Sequence, residues 1–189
     1  MKRDLILVID MQNVYAKDGA WCCPKTETAS QNIHRLLDES QENNDVIFTK
    51  FLAPNNPQGT WEDYNRENVS VNEDVFSNEL MESFSEDVKK FPVYLKSTYS
   101  SYEIPEVKEM AKKASRVVLC GVVAECCVLS TAFALIDAGV DVVYLTDAVA
   151  GIDEETEKAT VKVLEGLSPI QVKIMTTKDY LTSMGKGEK

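Results

Sequence analysis

The chain reads as an α/β protein of three layers, α/β/α, with a six-stranded, mainly parallel sheet wound in a Rossmann-like way and helices on both faces. Three observations predict this. Short, continuous runs rich in Val, Ile and Leu recur along the 189 residues, as in Leu5–Ile9, Val117–Gly121 and Val142–Thr146. Runs without polar alternation are the pattern of parallel strands buried on both faces. Stretches with helical spacing of apolar residues fall between them, so each strand leads through a helix to the next by a right-handed crossover. No repeat, low-complexity tract or break in composition divides the sequence, so residues 1–189 are expected to form one domain.

Leu5–Ile9 is the first strand. Its five apolar residues end at Asp10, too few for the apolar region of a secretory signal. A helix is expected over Glu27–Ser40, where Ile33, Leu36 and Leu37 share a face. Val46–Phe51 is the second strand. Pro54–Ser77 is rich in Pro, Asn and charged residues and is expected to be a long irregular segment, a kind often functional. Asn78–Phe84 is expected as a short helix. Pro92–Lys96, Val117–Gly121, Val142–Thr146 and Val172–Thr176 are the remaining strands. Further helices are expected over Pro105–Ala114, Cys127–Ala138, Asp153–Leu167 and Lys178–Met184. Asp153 suits an N-cap and Gly166 a helix end. Gly185–Lys189 are expected to be a disordered tail.

Composition narrows the function. The formal charge is −11, from 31 acidic and 20 basic residues, and such a surface repels phosphate backbones, so no nucleic-acid partner is expected. No run approaches the roughly 18 apolar residues of a membrane helix, so no membrane partner is expected either. The five cysteines are Cys22, Cys23, Cys120, Cys126 and Cys127. Two adjacent pairs and one strand residue make a poor disulfide framework. There is no C-x-x-C, and the one histidine is His34, so the spacing of a zinc site is missing. Reduced thiols in a cytoplasmic location are the expectation.

Ligands of open parallel sheets bind beyond the carboxyl ends of the strands. Asp10, Lys96 and the Gly121–Cys127 turn all fall at such ends. Cys127 opens a helical pattern, where free backbone N–H groups and the helix dipole favour thiolate over thiol. A lysine beside it would lower its pKa further. A carboxylate ending a buried strand needs a partner, and Lys96 can be that partner. Two plainer readings compete: Cys127 as an inert buried thiol, and Asp10 with Lys96 as a structural ion pair.

These residues resemble the isochorismatase-like cysteine hydrolases, a family that includes nicotinamidases and N-carbamoylsarcosine amidases. The resemblance spans nearly the whole chain. It is carried by Val8-Ile-Asp10-Met-Gln-Asn13, by Lys96 with Ser97-Thr-Tyr-Ser-Ser-Tyr102, by Gly121-Val-Val-Ala-Glu-Cys-Cys127-Val-Leu-Ser-Thr-Ala132 and by Leu145-Thr-Asp147-Ala148. It implies that Asp10, Lys96 and Cys127 form a catalytic triad, and it selects Cys127 over Cys126 as nucleophile. It also implies an oxyanion hole from the backbone N–H groups of Val123 and Cys127, and a cis peptide between Val122 and Val123. The implied reaction is attack of the Cys127 sulfur on a small amide, carbamoyl or ureido compound, through a thioester that water then hydrolyses.

Departures from the family pattern sharpen the expectation. Nicotinamidases hold a metal with an Asp and His residues after the second strand. Here Thr49–Asn56 contains no histidine, so no metal and no cofactor are expected. Ala124 stands where the family often has Thr. Isochorismatases that cleave a vinyl ether lack the cysteine nucleophile, so Cys127 favours amide chemistry. Tyr15, Trp21, Trp61 and Tyr64 are aromatics in loops near the site, and Tyr15, Trp61 and Tyr64 join Asn13 as candidate pocket residues. Gln12 and Asn13 are also expected to hold the loop after the first strand. The resemblance implies a homo-oligomer, dimer or tetramer, acting on a small molecule. The alternatives are an inactive small-molecule-binding or scaffold member of the fold, and a thiol redox protein using the Cys126–Cys127 pair.

Overall fold

A computed structural model describes residues 3–40 and 42–185. In chain order the elements are β1 (Leu5–Ile9), α1 (Thr26–Ser40), β2 (Asp45–Phe51), α2 (Thr60–Glu67), α3 (Val69–Asn72), α4 (Val75–Asn78), β3 (Val93–Lys96), α5 (Pro105–Lys113), β4 (Val117–Val122), α6 (Leu129–Asp137), β5 (Val142–Ala150), α7 (Glu154–Glu165), β6 (Val172–Met175) and α8 (Thr177–Gly185). The six strands form one sheet in the order β3-β2-β1-β4-β5-β6, and every pairing is parallel. The winding direction reverses between β1 and β4, which opens a crevice at their carboxyl ends.

Strand β1 shows why the runs lack alternation. Ile6 and Val8 enter a core with Ile33, Leu36 and Leu37 of α1 and Tyr180 of α8. Leu5, Leu7 and Ile9 enter a second core with Val107 of α5, Leu135 of α6 and Leu164 of α7. Both faces are covered, so every residue of β1 is apolar and buried. Each such side chain contributes about 1.5–3 kcal/mol by leaving water. Asp153 accepts a hydrogen bond from the Thr156 N–H and caps α7, and Gly166 follows its last turn.

The segment after β2 differs from expectation. Pro54–Ser77 is not irregular but carries α2, α3 and α4, and the helix expected over Asn78–Phe84 reduces to the end of α4 and a 3-10 turn at Glu82–Phe84. The polar residues that read as loop formers act as staples. The Asn68 side chain donates to the Tyr64 carbonyl, Asp74 accepts from the Ser77 N–H, and the Asn78 amide donates to the carbonyls of Val71 and Asp74. Strand β5 runs to Ala150, longer than expected, with an irregular stretch between the pairs Leu119↔Tyr144 and Gly121↔Val149. Asp147 lies in that stretch, and its Oδ1 accepts from the N–H and hydroxyl of Thr177 at the start of α8. Of the expected tail, Gly185 ends α8 and residues 186–189 lie outside the described residues. No helix among the described residues is long and apolar enough to cross a membrane.

Candidate active site

Three strand ends bring the sequence-predicted trio together. Asp10 follows β1 directly, Lys96 is the last residue of β3, and Cys127 lies in the turn after β4. Lys96 Nζ stands 2.6 Å from Asp10 Oδ2 and 3.3 Å from Cys127 Sγ. All three residues are buried.

Each position has a local cause. Asp10 adopts a left-handed backbone (φ 52°), a conformation short polar residues tolerate better than bulky ones. That turn sends its side chain off the strand end, and Thr49 of β2 holds it. The Thr49 carbonyl accepts from the Asp10 N–H at 3.1 Å, and the Thr49 hydroxyl donates to Asp10 Oδ1 at 2.7 Å. Gln12 locks the following residues: its amide donates to the carbonyls of Phe51 and Asn78, and its Oε1 accepts from the Phe51 N–H. Lys96 lies on an edge strand, yet its ammonium donates to the carbonyls of Thr98 (3.1 Å) and Tyr99 (2.9 Å), so the loop after β3 folds over it. On the far side, Gly121 (φ 110°) lets β4 pass close to β1. A Cβ there would sit 2.1 Å from the Ile9 carbonyl oxygen.

Cys127 does not open the α-helix. It sits inside a π-helical turn, Ala124–Val128, that runs into α6. The Val122–Val123 peptide before that turn is cis. Val123, the residue after that cis bond, lines the cavity above Cys127. Thr131 secures the turn from one helical turn below. Its hydroxyl donates to the Cys127 carbonyl at 2.7 Å and accepts from the Ser101 N–H at 2.8 Å, tying the turn to the loop after β3.

The electrostatics correct one expectation. Burial first, and then the adjacent Asp10 carboxylate, push the Cys127 thiol up, and Lys96 pulls the other way without winning. Both burial and Asp10 favour thiol over the acidic thiolate expected from a helix N-terminus. The reason is charge balance. Lys96 already neutralises Asp10, and a thiolate would add a second negative charge where one cation serves both. Burial disfavours the Lys96 ammonium, but the adjacent Asp10 carboxylate, helped by the Cys127 sulfur that accepts a hydrogen bond from Nζ, outweighs it and holds the proton on nitrogen. Asp10 Oδ2 has the close Nζ contact but no hydrogen bond of good geometry from a described donor.

Above Cys127 is a cavity of about 290 Å³. Tyr15 and Tyr64 line it, together with Trp21, Phe51, Asn68, Tyr99, Val123, Glu125, Cys126 and Ile152. Trp61 packs behind this wall, with ring centroids 5.1 Å from Tyr64 and 5.3 Å from Tyr99. Asn13 is absent from the lining, and its amide donates to the Phe76 carbonyl and holds α4. Sequence reasoning missed Thr49, Ser101 and Thr131, whose polar groups are spent on the trio's supports. Thr49 alone carried a signal, as a polar residue inside an apolar strand. Phe51 and Tyr99 were also missed, because strand-end and turn aromatics look alike whether they face a cavity or a core. His34 is remote from the trio, stacked on Phe84 and 3.4 Å from Asp87.

The parallel α/β sheet and the Cys–Lys–Asp cluster at its carboxyl edge agree with the sequence resemblance to isochorismatase-like hydrolases. Residues 4–179 match the model of the isochorismatase domain, and the chain belongs to that family. Among solved structures, the chain is similar to a cysteine hydrolase from Pseudomonas syringae pv. phaseolicola 1448A, with TM-score 0.85, 18% identity and coverage of 97% of this chain and 93% of that one. An isochorismatase family protein from Desulfovibrio vulgaris subsp. vulgaris str. Hildenborough gives TM-score 0.83 at 16% identity, covering 98% and 100%. A pyrazinamidase/nicotinamidase from Streptococcus mutans UA159 gives 0.72 at 18%, covering 90% and 99%. At these identities the likeness is one of fold. Comparison with curated proteins finds no significant match.

Proposed function

We propose that this chain is a cysteine amidohydrolase that cleaves the C–N bond of a small amide, carbamoyl or ureido compound without a metal. The observation that carries the reading is the buried contact of Cys127 Sγ with Lys96 Nζ at 3.3 Å, and of that ammonium with Asp10 at 2.6 Å, on the floor of a cavity. Asp10 takes the thiol proton as sulfur attacks the carbonyl carbon. Lys96 stabilises the charge that develops on sulfur. The carbonyl oxygen becomes an oxyanion that the Val123 and Cys127 N–H groups receive. Asp10 then returns its proton to the leaving nitrogen. The C–N bond breaks, ammonia or an amine departs, and an acyl thioester stays on Cys127. Asp10 next deprotonates a water that attacks the thioester, the acid product leaves, and the thiol is restored.

The experiment is a screen for ammonia or amine release over small amides, carbamoyl compounds and ureas, with wild type beside Cys127→Ala. Turnover in wild type that the variant loses is the expected result. Undiminished turnover in Cys127→Ala moves the nucleophile elsewhere. Silence of folded wild type across a broad panel favours the binding or scaffold reading.

A further inference from the structure

The cavity wall is an unbroken arc of rings. Tyr15 lies 5.9 Å from Trp21, Trp21 lies 6.3 Å from Tyr64, Tyr64 lies 6.2 Å from Phe51, and Phe51 lies 6.4 Å from Tyr99, centroid to centroid. Aromatic faces carry negative potential and attract cations, above all those with weakly hydrated methyl groups. The charge of the site agrees. Among the described residues, no Arg, Lys or His lines the cavity. Lys96 sits beneath the floor and is matched by Asp10. Glu125 is in the wall, accepts from the Ile152 N–H, and makes no ion pair among the described residues. Its Oε2 is buried without a hydrogen-bond donor. Burial holds the hydroxyls of Tyr15, Tyr64 and Tyr99 neutral. One uncompensated negative charge therefore remains, beside the rings of Tyr15, Trp21, Tyr64 and Tyr99, whereas the Phe51 ring already has Lys96 Nζ 5.4 Å from its centroid.

We infer that the cavity binds an organic cation, so that the substrate is a small amide, carbamoyl or ureido compound whose non-reacting end carries a quaternary or protonated amine. The rings of Tyr15, Trp21, Tyr64 and Tyr99 enclose the cationic head, Glu125 supplies the counter-charge at short range, and the carbonyl points to Cys127. A carboxylate-bearing substrate would meet Glu125 and the ring faces with no cation to receive it, and is rejected. The placement of the carbonyl rests on the hydrolase reading, whereas the choice of head group does not.

The test compares probes of one shape and different charge on the wild-type protein: choline, its neutral isostere 3,3-dimethyl-1-butanol, and the anion 3,3-dimethylbutanoate. None contains an amide, so Cys127 chemistry plays no part. Binding is read by calorimetry and by the intrinsic fluorescence of Trp21 and Trp61. Choline is expected to bind about tenfold more tightly than the alcohol, and the anion not to bind. Glu125→Gln is expected to narrow that ratio roughly threefold, and Tyr64→Ala to weaken choline at least about fivefold. Equal or tighter binding of the alcohol or the anion, no saturable binding of choline, or choline affinity untouched by Tyr64→Ala overturns the inference. A choline preference without turnover in the amide screen keeps the cation site and removes the hydrolase. Turnover without a choline preference does the reverse.

Discussion

Removing the Lys96 ammonium tests the charge balance on which the site depends. In Lys96→Met the chain keeps a stem of similar length, but Asp10 loses a cation 2.6 Å away in a place where the two side chains are 1% and 0% exposed. Breaking a buried pair by removing one partner costs about 3–5 kcal/mol, because the remaining charge is left without water or counter-ion. For a domain of this size 1 kcal/mol moves the Tm by roughly 2–4 °C, so the melting point is expected to fall by about 6–20 °C at neutral pH. The second half of the argument is restoration. Adding Asp10→Asn removes the stranded carboxylate, and the double variant is expected to regain at least about 2 kcal/mol of the loss. Thermal and urea unfolding followed by circular dichroism give all the corners of the cycle. A single variant that loses less than about 1 kcal/mol, or a double variant no more stable than Lys96→Met, would refute the idea that the pair is an electrostatic unit.

Three further outcomes follow from the same geometry. Because burial and Asp10 push the Cys127 thiol up, iodoacetamide labelling of Cys127, read by peptide mass spectrometry, is expected to be slow at pH 6 and to accelerate with rising pH. Fast labelling at pH 6 that does not change with pH would show a thiolate already present. Burial pushes Cys23 up from the ordinary 9.0 to about 12. The unfolded chain therefore releases this proton first, and stability is present below about pH 9 and lost as pH rises toward 12, by at most about 1.4 kcal/mol per pH unit. Melting curves from pH 8 to 11 check this, and Cys23→Ala should flatten the slope. Gly121→Ala places a Cβ 2.1 Å from the Ile9 carbonyl oxygen at a φ of 110°, so a loss of more than about 4 kcal/mol or failure to fold is expected. A well-folded Gly121→Ala protein would mean that β1 and β4 can move apart.

Legibility varied with the physics of each part. The strands were readable because burial on both faces leaves an uninterrupted apolar run, and β1 and β4 matched to within a residue. The α2–α4 segment was not readable. Its helices are short, α2 buries no residue, and they are held by side-chain bonds of Asn68, Asp74 and Asn78 to carbonyls, which leave no apolar period. The positions of Asp10, Lys96 and Cys127 were legible from the strand ends. The ionisation of Cys127 was not, since a helix N-terminus argued for thiolate, while the packed structure supplies burial and a carboxylate that argue more strongly for thiol.

The sequence by itself determined the parallel sheet, the family and the three chemical groups at its rim, because apolar runs and the residues that end them are local properties. Tertiary structure alone decided how those groups share protons and what encloses the space above them. Both depend on distances between residues far apart in the chain: Thr49 and Asp10, Lys96 and Cys127, and rings from the loops after β1, β2 and β3 that meet only when the sheet has brought those loops to one edge.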